Sequence, residues 1–215
     1  MIYFISDPHG GESMKGFEGY EAIRKEGDLL IVLGDLGLGF TDTKENRAFD
    51  EYFLSLPYPV AVVDGNHENF DRLYAYPEEE MWGGKVRRLS ENAVLLSRGY
   101  VFNIEGKSFF VMGGCKSSAK WRDMGLCWPA EEQTEEEISR AYLNLAACGN
   151  RVDYVLTHKY RLEDPAAPRL SFQGLLHYIE KNVTYTHWYS GHWHAGFALD
   201  EKHTVVYDTP MPPCP

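Results

Sequence analysis

The chain has 215 residues, 44% apolar and 14% aromatic, which suffices for the core of one domain and excludes a disordered chain. Its formal net charge of −11 argues against non-specific adhesion to nucleic acid or to an anionic membrane. A phosphate substrate stays open, because bound cations would invert the local field.

The elements follow in chain order. The N-terminal run Met1-Ile2-Tyr3-Phe4-Ile5 is too short for a signal peptide, and residues 2–6 read as a buried strand. Residues 13–26 read as a helix stopped at Gly27, residues 29–33 as a strand, and residues 41–56 as a helix before Pro57. Residues 59–63 and 69–75 add a third strand and a short helix. This alternation, at a spacing of roughly 30 residues, signals a parallel sheet covered by helices. Shorter strand-like runs come next at 86–89, 93–96, 100–104 and 108–112, with Glu105-Gly106-Lys107 as a tight hairpin connection. Residues 113–130 read as one long loop, rich in Gly, Ser, Lys and Trp, and that length suggests function. Residues 131–148 read as a helix with an acidic first turn, ended by Gly149. A strand at 152–156, a helix at 172–181, a strand at 184–190 and late strands at 197–199 and 204–207 complete the pattern. The proline-rich tail cannot form regular structure. No repeat or linker divides the chain, so a single domain over residues 1–215 is expected.

Several features read as ordinary. The runs Glu78-Glu79-Glu80 and Glu135-Glu136-Glu137 are expected to be solvated faces, and Arg72 a surface helix residue. His177, His187 and His203 lack motif context and are expected to be structural. The four cysteines have no CxxC spacing and read as free thiols, and the expected setting is a reducing cytoplasm. No apolar run has the length needed to span a bilayer.

Five segments carry metal-ligand side chains at the ends of predicted strands. They are Asp7-Pro8-His9, Gly34-Asp35, Gly65-Asn66-His67-Glu68, Thr157-His158 and Gly191-His192-Trp193-His194. Singly, each has a plain reading as a turn, a solvated loop pair or a core histidine. Together they converge, because side chains beyond the carboxyl ends of parallel strands gather at one edge. Leaving His67 aside, they supply two Asp, one Asn and four His, enough for two ions sharing one ligand. Hard oxygens with neutral imidazoles suit manganese, iron, zinc or similar ions, and suit neither a calcium cage nor a thiolate site. Two such ions about 3.5–4 Å apart can polarise a phosphoryl group and activate water. The glycines before Asp35, Asn66 and His192 permit close approach, and His192 and His194 share a face if the backbone there is extended.

On these motifs, over residues 2 to about 208, the chain resembles the calcineurin-like metallophosphoesterases. The resemblance implies an α/β sandwich in which two mixed β-sheets pack together, flanked by helices, with a two-metal centre at one end. It implies that Asp7, His9 and His194 hold a first ion, that Asp35 bridges, and that Asn66, His158 and His192 hold a second. The two divalent ions would be manganese first, with iron, zinc, nickel or cobalt as alternatives. His67 would act beside the substrate as acid or phosphate contact, with Asn66 next to it. The reaction implied is direct attack of a metal-bridging hydroxide on a phosphomonoester or phosphodiester, without a phospho-enzyme.

The chain departs from the pattern in one place. Protein phosphatases of this superfamily continue the second motif as Gly-Asp-x-x-Asp-Arg-Gly, whereas Leu38 and Gly39 stand here at the positions of that Asp and Arg. Asp64 or Asp71 is then a candidate partner for His67. The loop with Lys116, Lys120, Trp121, Arg122 and Trp128 is a candidate cover for the site, with Arg122 as the replacement phosphate contact; a solvated excursion is the alternative. This stretch resembles a bacterial and prophage-associated subgroup of small metallophosphoesterases. The expected partner is a small phosphate ester. Nucleic acid is disfavoured for lack of a basic stripe, a membrane is not expected, and the oligomeric state is open. A protein Ser/Thr/Tyr phosphatase of prophage type and a non-catalytic scaffold remain the alternatives; the complete ligand set weighs against the scaffold.

Overall fold

A computed structural model describes residues 1–214. Its frame is two six-stranded mixed sheets packed face to face. The first contains β1 (Ile2–Ile5), β2 (Leu29–Leu33), β3 (Val60–Val63), β4 (Glu78–Met81), β5 (Gly84–Arg88) and β6 (Ala93–Leu96), in the order β1-β2-β3-β6-β5-β4. Strands β1, β2, β3 and β6 are parallel, and β5 and β4 close the edge antiparallel. The second contains β7 (Tyr100–Ile104), β8 (Lys107–Met112), β9 (Tyr154–Thr157), β10 (His187–Ser190), β11 (Phe197–Ala198) and β12 (His203–Val205), in the order β11-β12-β10-β9-β8-β7. Among the described residues six α-helices complete the fold: α1 (Lys15–Ile23), α2 (Lys44–Leu54), α3 (Phe70–Ala75), α4 (Ala119–Asp123), α5 (Glu135–Ala147) and α6 (Phe172–Asn182).

Strand alternation builds three apolar layers. On β2, Leu29, Ile31 and Leu33 face the second sheet, against Phe109, Val111 and Leu156 among others. Leu30 and Val32 face the other way, onto Phe17 of α1 and Phe49 and Phe53 of α2. Beyond the second sheet, Phe110 and Val155 meet Ile138 and Leu145 of α5 and Leu175 and Ile179 of α6. Strands buried on both faces read as continuous apolar runs, which is why these were visible in the sequence.

Three expectations need correction, while the run Glu78-Glu79-Glu80 is a solvated face as expected, with Glu78 and Glu80 exposed. That run is part of the edge strand β4; Glu78 accepts from Lys85 Nζ at 2.6 Å and Glu79 pairs with Arg88. Charged side chains on such an edge discourage pairing with another chain. Glu135 and Glu136 are exposed, but Glu137 is no fully solvated residue: it closes a capping box with Thr134 and reaches the buried Arg98. The stretch 113–130 is not one loop, since it contains α4 and leads into a single 3-10 turn at Pro129–Glu131. The first two helices are shorter than expected, because Arg24 turns extended after α1 and the Thr43 side chain caps α2. The hairpin at Glu105-Gly106 is as expected, with left-handed φ of 49° and 76°. Among the described residues no helix is long and apolar enough to cross a membrane.

Candidate metal centre

The carboxyl ends of β1, β2 and β3 in one sheet, and of β9 and β10 in the other, open onto the same edge of the sandwich. Asp7, Asp35 and Asn66 follow the first three strands, and His158 and His192 follow the last two. The backbone there is left-handed at five of the seven expected ligand positions: Asp7 (φ 59°), His9 (46°), Asp35 (52°), His192 (75°) and His194 (48°). Non-glycine residues hold such angles at a cost of about 1–3 kcal/mol each, and only where their surroundings dictate it. Here Asp7 N donates to the Gly34 carbonyl at 3.1 Å, His9 N to the Asp35 carbonyl at 2.9 Å, and His192 N to Asp7 Oδ2 at 2.9 Å. The Gly191-His192-Trp193-His194 segment is therefore not extended, and its two histidines turn into different groups. Two glycines are dictated by close approach. A Cβ at Gly34 would lie 2.1 Å from His158 Nδ1, and one at Gly65 would lie 2.1 Å from Asp35 Oδ1.

The ligand atoms form two groups that meet at Asp35. In the first, His9 Nε2 lies 3.5 Å from Asp35 Oδ2, 3.9 Å from Asp7 Oδ1 and 2.8 Å from His194 Nε2. His194 Nε2 lies 3.6 Å from Asp7 Oδ1. In the second, His158 Nε2 lies 3.2 Å from Asp35 Oδ1 and 3.3 Å from His192 Nδ1. The two oxygens of one carboxylate thus face opposite groups. Asp7 Oδ1 is buried with no hydrogen-bond partner among the described residues, an expensive state for an anionic acceptor unless a cation meets it. His158 Nδ1 sits 2.8 Å from the Leu33 carbonyl, so its Nε2 is turned toward Asp35.

Electrostatics agree with a centre built around positive charge. Burial alone would raise Asp35, but His158, His9 and His67 outweigh it and hold the carboxyl below its ordinary range. Burial would lower His158, but Asp35 and Asp7, with the Leu33 carbonyl, drive it up to about 10. Burial lowers His9 to about 4 and His192 to about 3, leaving neutral imidazoles able to ligate. The donor set fits divalent ions that accept oxygen and imidazole.

His67 lies beside this centre, its ring 4.9 Å from that of His9. Phe40 stacks on it at 5.1 Å and 14°, and Trp121 meets it edge-on at 4.4 Å. Burial lowers its pKa, so the ring is neutral near pH 7. Neither candidate carboxylate partners it: Asp64 is ion-paired with buried Arg98, and Asp71 accepts from Trp128 Nε1 at 2.9 Å. Trp121 is the residue by which the 113–130 stretch reaches His67. Arg122 is exposed on α4 and is absent from the cleft lining, while Lys116 pairs with Glu132. A cleft of about 520 Å³ opens here, floored by His9, His67 and His194 and walled by Phe40 and Trp121, with Glu12 and Glu45 also lining it. Leu38 is buried, and Gly39 backs onto Arg72, whose guanidinium is ion-paired with Asp50 and is no free surface group.

Four supporting residues gave no signal in the sequence. Glu68 is buried and accepts backbone N–H groups of Leu36 (2.9 Å), Gly37 (3.0 Å) and Gly65 (3.2 Å), tying the loop after β2 to the loop after β3. Asn66 Nδ2 donates to Ser117 Oγ at 3.0 Å, and Ser117 in turn donates through N and Oγ to Glu131, both at 2.8 Å. Arg98 Nε donates to Asp64 Oδ2 at 2.7 Å and its Nη2 to the Ala130 carbonyl at 2.8 Å, anchoring the whole segment. Only Glu68 stands inside a motif that could have drawn attention to it.

Two packed mixed sheets with Asp, Asn and His at adjoining strand ends define a class, the metal-dependent phosphoester hydrolases. The sequence model of the calcineurin-like phosphoesterases matches residues 1–196, and the chain belongs to that family. Membership supports metal binding and metal-dependent hydrolysis of phosphate esters as the chemistry of this site. No curated protein matches the chain.

Proposed function

We propose that the protein is a dinuclear phosphoesterase acting on a small phosphomonoester or phosphodiester. One observation carries the reading: Asp35 Oδ2 faces His9 at 3.5 Å while its Oδ1 faces His158 at 3.2 Å, as a bridging carboxylate requires. Asp7, His9 and His194 would hold one ion, and Asn66, His158 and His192 the other. When bound, the pair of divalent ions, with manganese first and iron, zinc, nickel or cobalt as alternatives, supplies Lewis-acid polarisation of the phosphoryl group and an acidified water.

The chain's own residues do the rest. The His67 ring, held between Phe40 and Trp121, can donate a hydrogen bond to a phosphoryl oxygen while neutral, and its imidazolium form can pass a proton to the leaving oxygen and return to neutral imidazole. Asn66 sits beside it with its amide oriented by Ser117. The cleft offers flat aromatic walls and two carboxylates but no lysine or arginine, which favours a compact alcohol group over a polyanionic strand. With Leu38 and Gly39 at the phosphatase positions, a small ester fits better than a phosphoprotein. All four cysteines are free, which supports a cytoplasmic setting.

The test is to strip the protein of metal, restore it with manganese, and assay p-nitrophenyl phosphate and its bis ester. Turnover that appears with metal is expected. No turnover of either ester with two ions bound per chain defeats the proposal.

A further inference from the structure

We propose that Cys115 is a ligand of the second ion, whose shell would then contain a sulfur beside Asp35, Asn66, His158 and His192. This rests on the dinuclear reading and sharpens it: the two positions are chemically unequal. The first has only carboxylate and imidazole donors. The second, with one sulfur, suits a borderline-soft divalent ion of the zinc, iron or cobalt kind better than a hard one.

The argument is geometric. The chain leaves β8 through Gly113 and Gly114, and the Gly114 N–H bonds the Asp64 carbonyl at 2.8 Å, which seats Cys115 next to the loop after β3. The side chain is buried, with 3% of its surface exposed. Its Sγ lies 2.9 Å from Asn66 Oδ1 and 3.7 Å from His192 Nδ1, and that nitrogen lies 3.3 Å from His158 Nε2. One ligand atom each from Cys115, His158 and His192 falls within 4.8 Å of the others. With metal–sulfur bonds of about 2.3 Å and metal–nitrogen bonds of about 2.0–2.1 Å, donors sharing an ion stand about 3.0–3.6 Å apart. The nitrogen–nitrogen separation of 3.3 Å falls within that spacing, and the sulfur–nitrogen separation of 3.7 Å lies 0.1 Å beyond it.

A second observation fixes the direction of the amide. Ser117 Oγ accepts a hydrogen bond from Asn66 Nδ2 and itself donates to Glu131, which sets the amide's orientation. Asn66 Oδ1 is thereby turned toward the same point as Sγ. On coordination the thiol proton leaves to solvent and a sulfur lone pair forms the bond. Cys148 does not compete, since it donates to the Leu145 carbonyl of its own helix.

Loading the metal-free protein with two equivalents of cobalt(II) and recording its near-ultraviolet spectrum tests this. A sulfur-to-cobalt charge-transfer band is expected in the native chain. It should survive in a Cys127→Ser, Cys148→Ser, Cys214→Ser triple variant and vanish in Cys115→Ser. If Cys115→Ser fails to fold, the native and triple-variant spectra decide alone. Two bound cobalt ions without the band, or with a band lost only in the triple variant, overturn the assignment of Cys115 and leave the dinuclear reading standing. Fewer than two bound ions overturn both.

Discussion

His158 Nε2 stands 3.2 Å from Asp35 Oδ1, while the other nitrogen of the same ring stands 2.8 Å from the carbonyl of Leu33. Both contacts reach residues at the end of β2, although His158 belongs to the opposite sheet. The ring is thus a clamp between the two halves of the sandwich. The buried anion it faces has its other oxygen turned to His9.

Asp35→Ala should therefore empty both positions and not one, because a single carboxylate serves each group. Metal analysis of the purified variant checks this. Retention of two ions per chain refutes the bridging role.

Among the described residues the His67 ring has no hydrogen bond to a ligand side chain, and aromatic rings hold it in place; its backbone N–H alone reaches the centre, donating to Asp35 Oδ1 at 2.8 Å. His67→Ala should keep both ions and lose about 10²–10⁴ in kcat, the range of a positioned proton donor. Loss of metal in this variant would instead make His67 a ligand.

Trp121 and Arg122 are neighbours with opposite expected effects. Trp121→Ala frees the edge of His67 and should lower kcat/KM by up to about 10²-fold through misplacement alone. Arg122→Ala should leave steady-state kinetics unchanged, since Arg122 is exposed and outside the cleft. A raised KM or a weakened inhibition by phosphate in Arg122→Ala would restore it as a substrate contact.

Arg98 is buried against Asp64, with 2% and 3% of the two side chains exposed. Arg98→Ala strands a buried carboxylate and should cost about 3–5 kcal/mol in urea unfolding. A change under about 1 kcal/mol would mean that Asp64 finds water or another partner.

A histidine remote from the ligands sets a pH dependence of stability. Burial would lower His203, but Glu180 and Asp200, each 2.8 Å away, outweigh it and raise its pKa above the ordinary value of about 6.5. The folded state thus binds the proton more tightly than the unfolded chain. Its contribution is complete below about pH 6.5 and is lost as pH rises through the elevated folded value. The melting-temperature gap between the native protein and His203→Gln should accordingly be widest near pH 6 and narrow on the alkaline side. A gap that widens with pH contradicts the ion pairs.

The parallel strands were legible because they are buried on both faces, so runs such as Leu29-Leu30-Ile31-Val32-Leu33 are continuous. Strand β4 was not, because an edge strand pairs its glutamates with cations on β5 and leaves no apolar alternation. The short α4 was hidden inside a Gly- and Ser-rich stretch, where five residues carry too little periodicity to register. The left-handed backbone at His192 and His194 was also illegible, since contacts with Asp7 and its surroundings impose it and no local preference does.

The sequence by itself determined the family, the order of the layers' strands in the chain, and the types of ligand that end them. Each of those is local: an apolar run, a glycine, and a side chain that must lie just beyond a strand. Only the tertiary structure decided that Asp35 divides its oxygens between two groups, that Trp121 and not Arg122 meets His67, and that Cys115 lies against Asn66 and His192. Those relations join residues tens of positions apart across two sheets, and spacing along a chain carries no record of where such side chains meet.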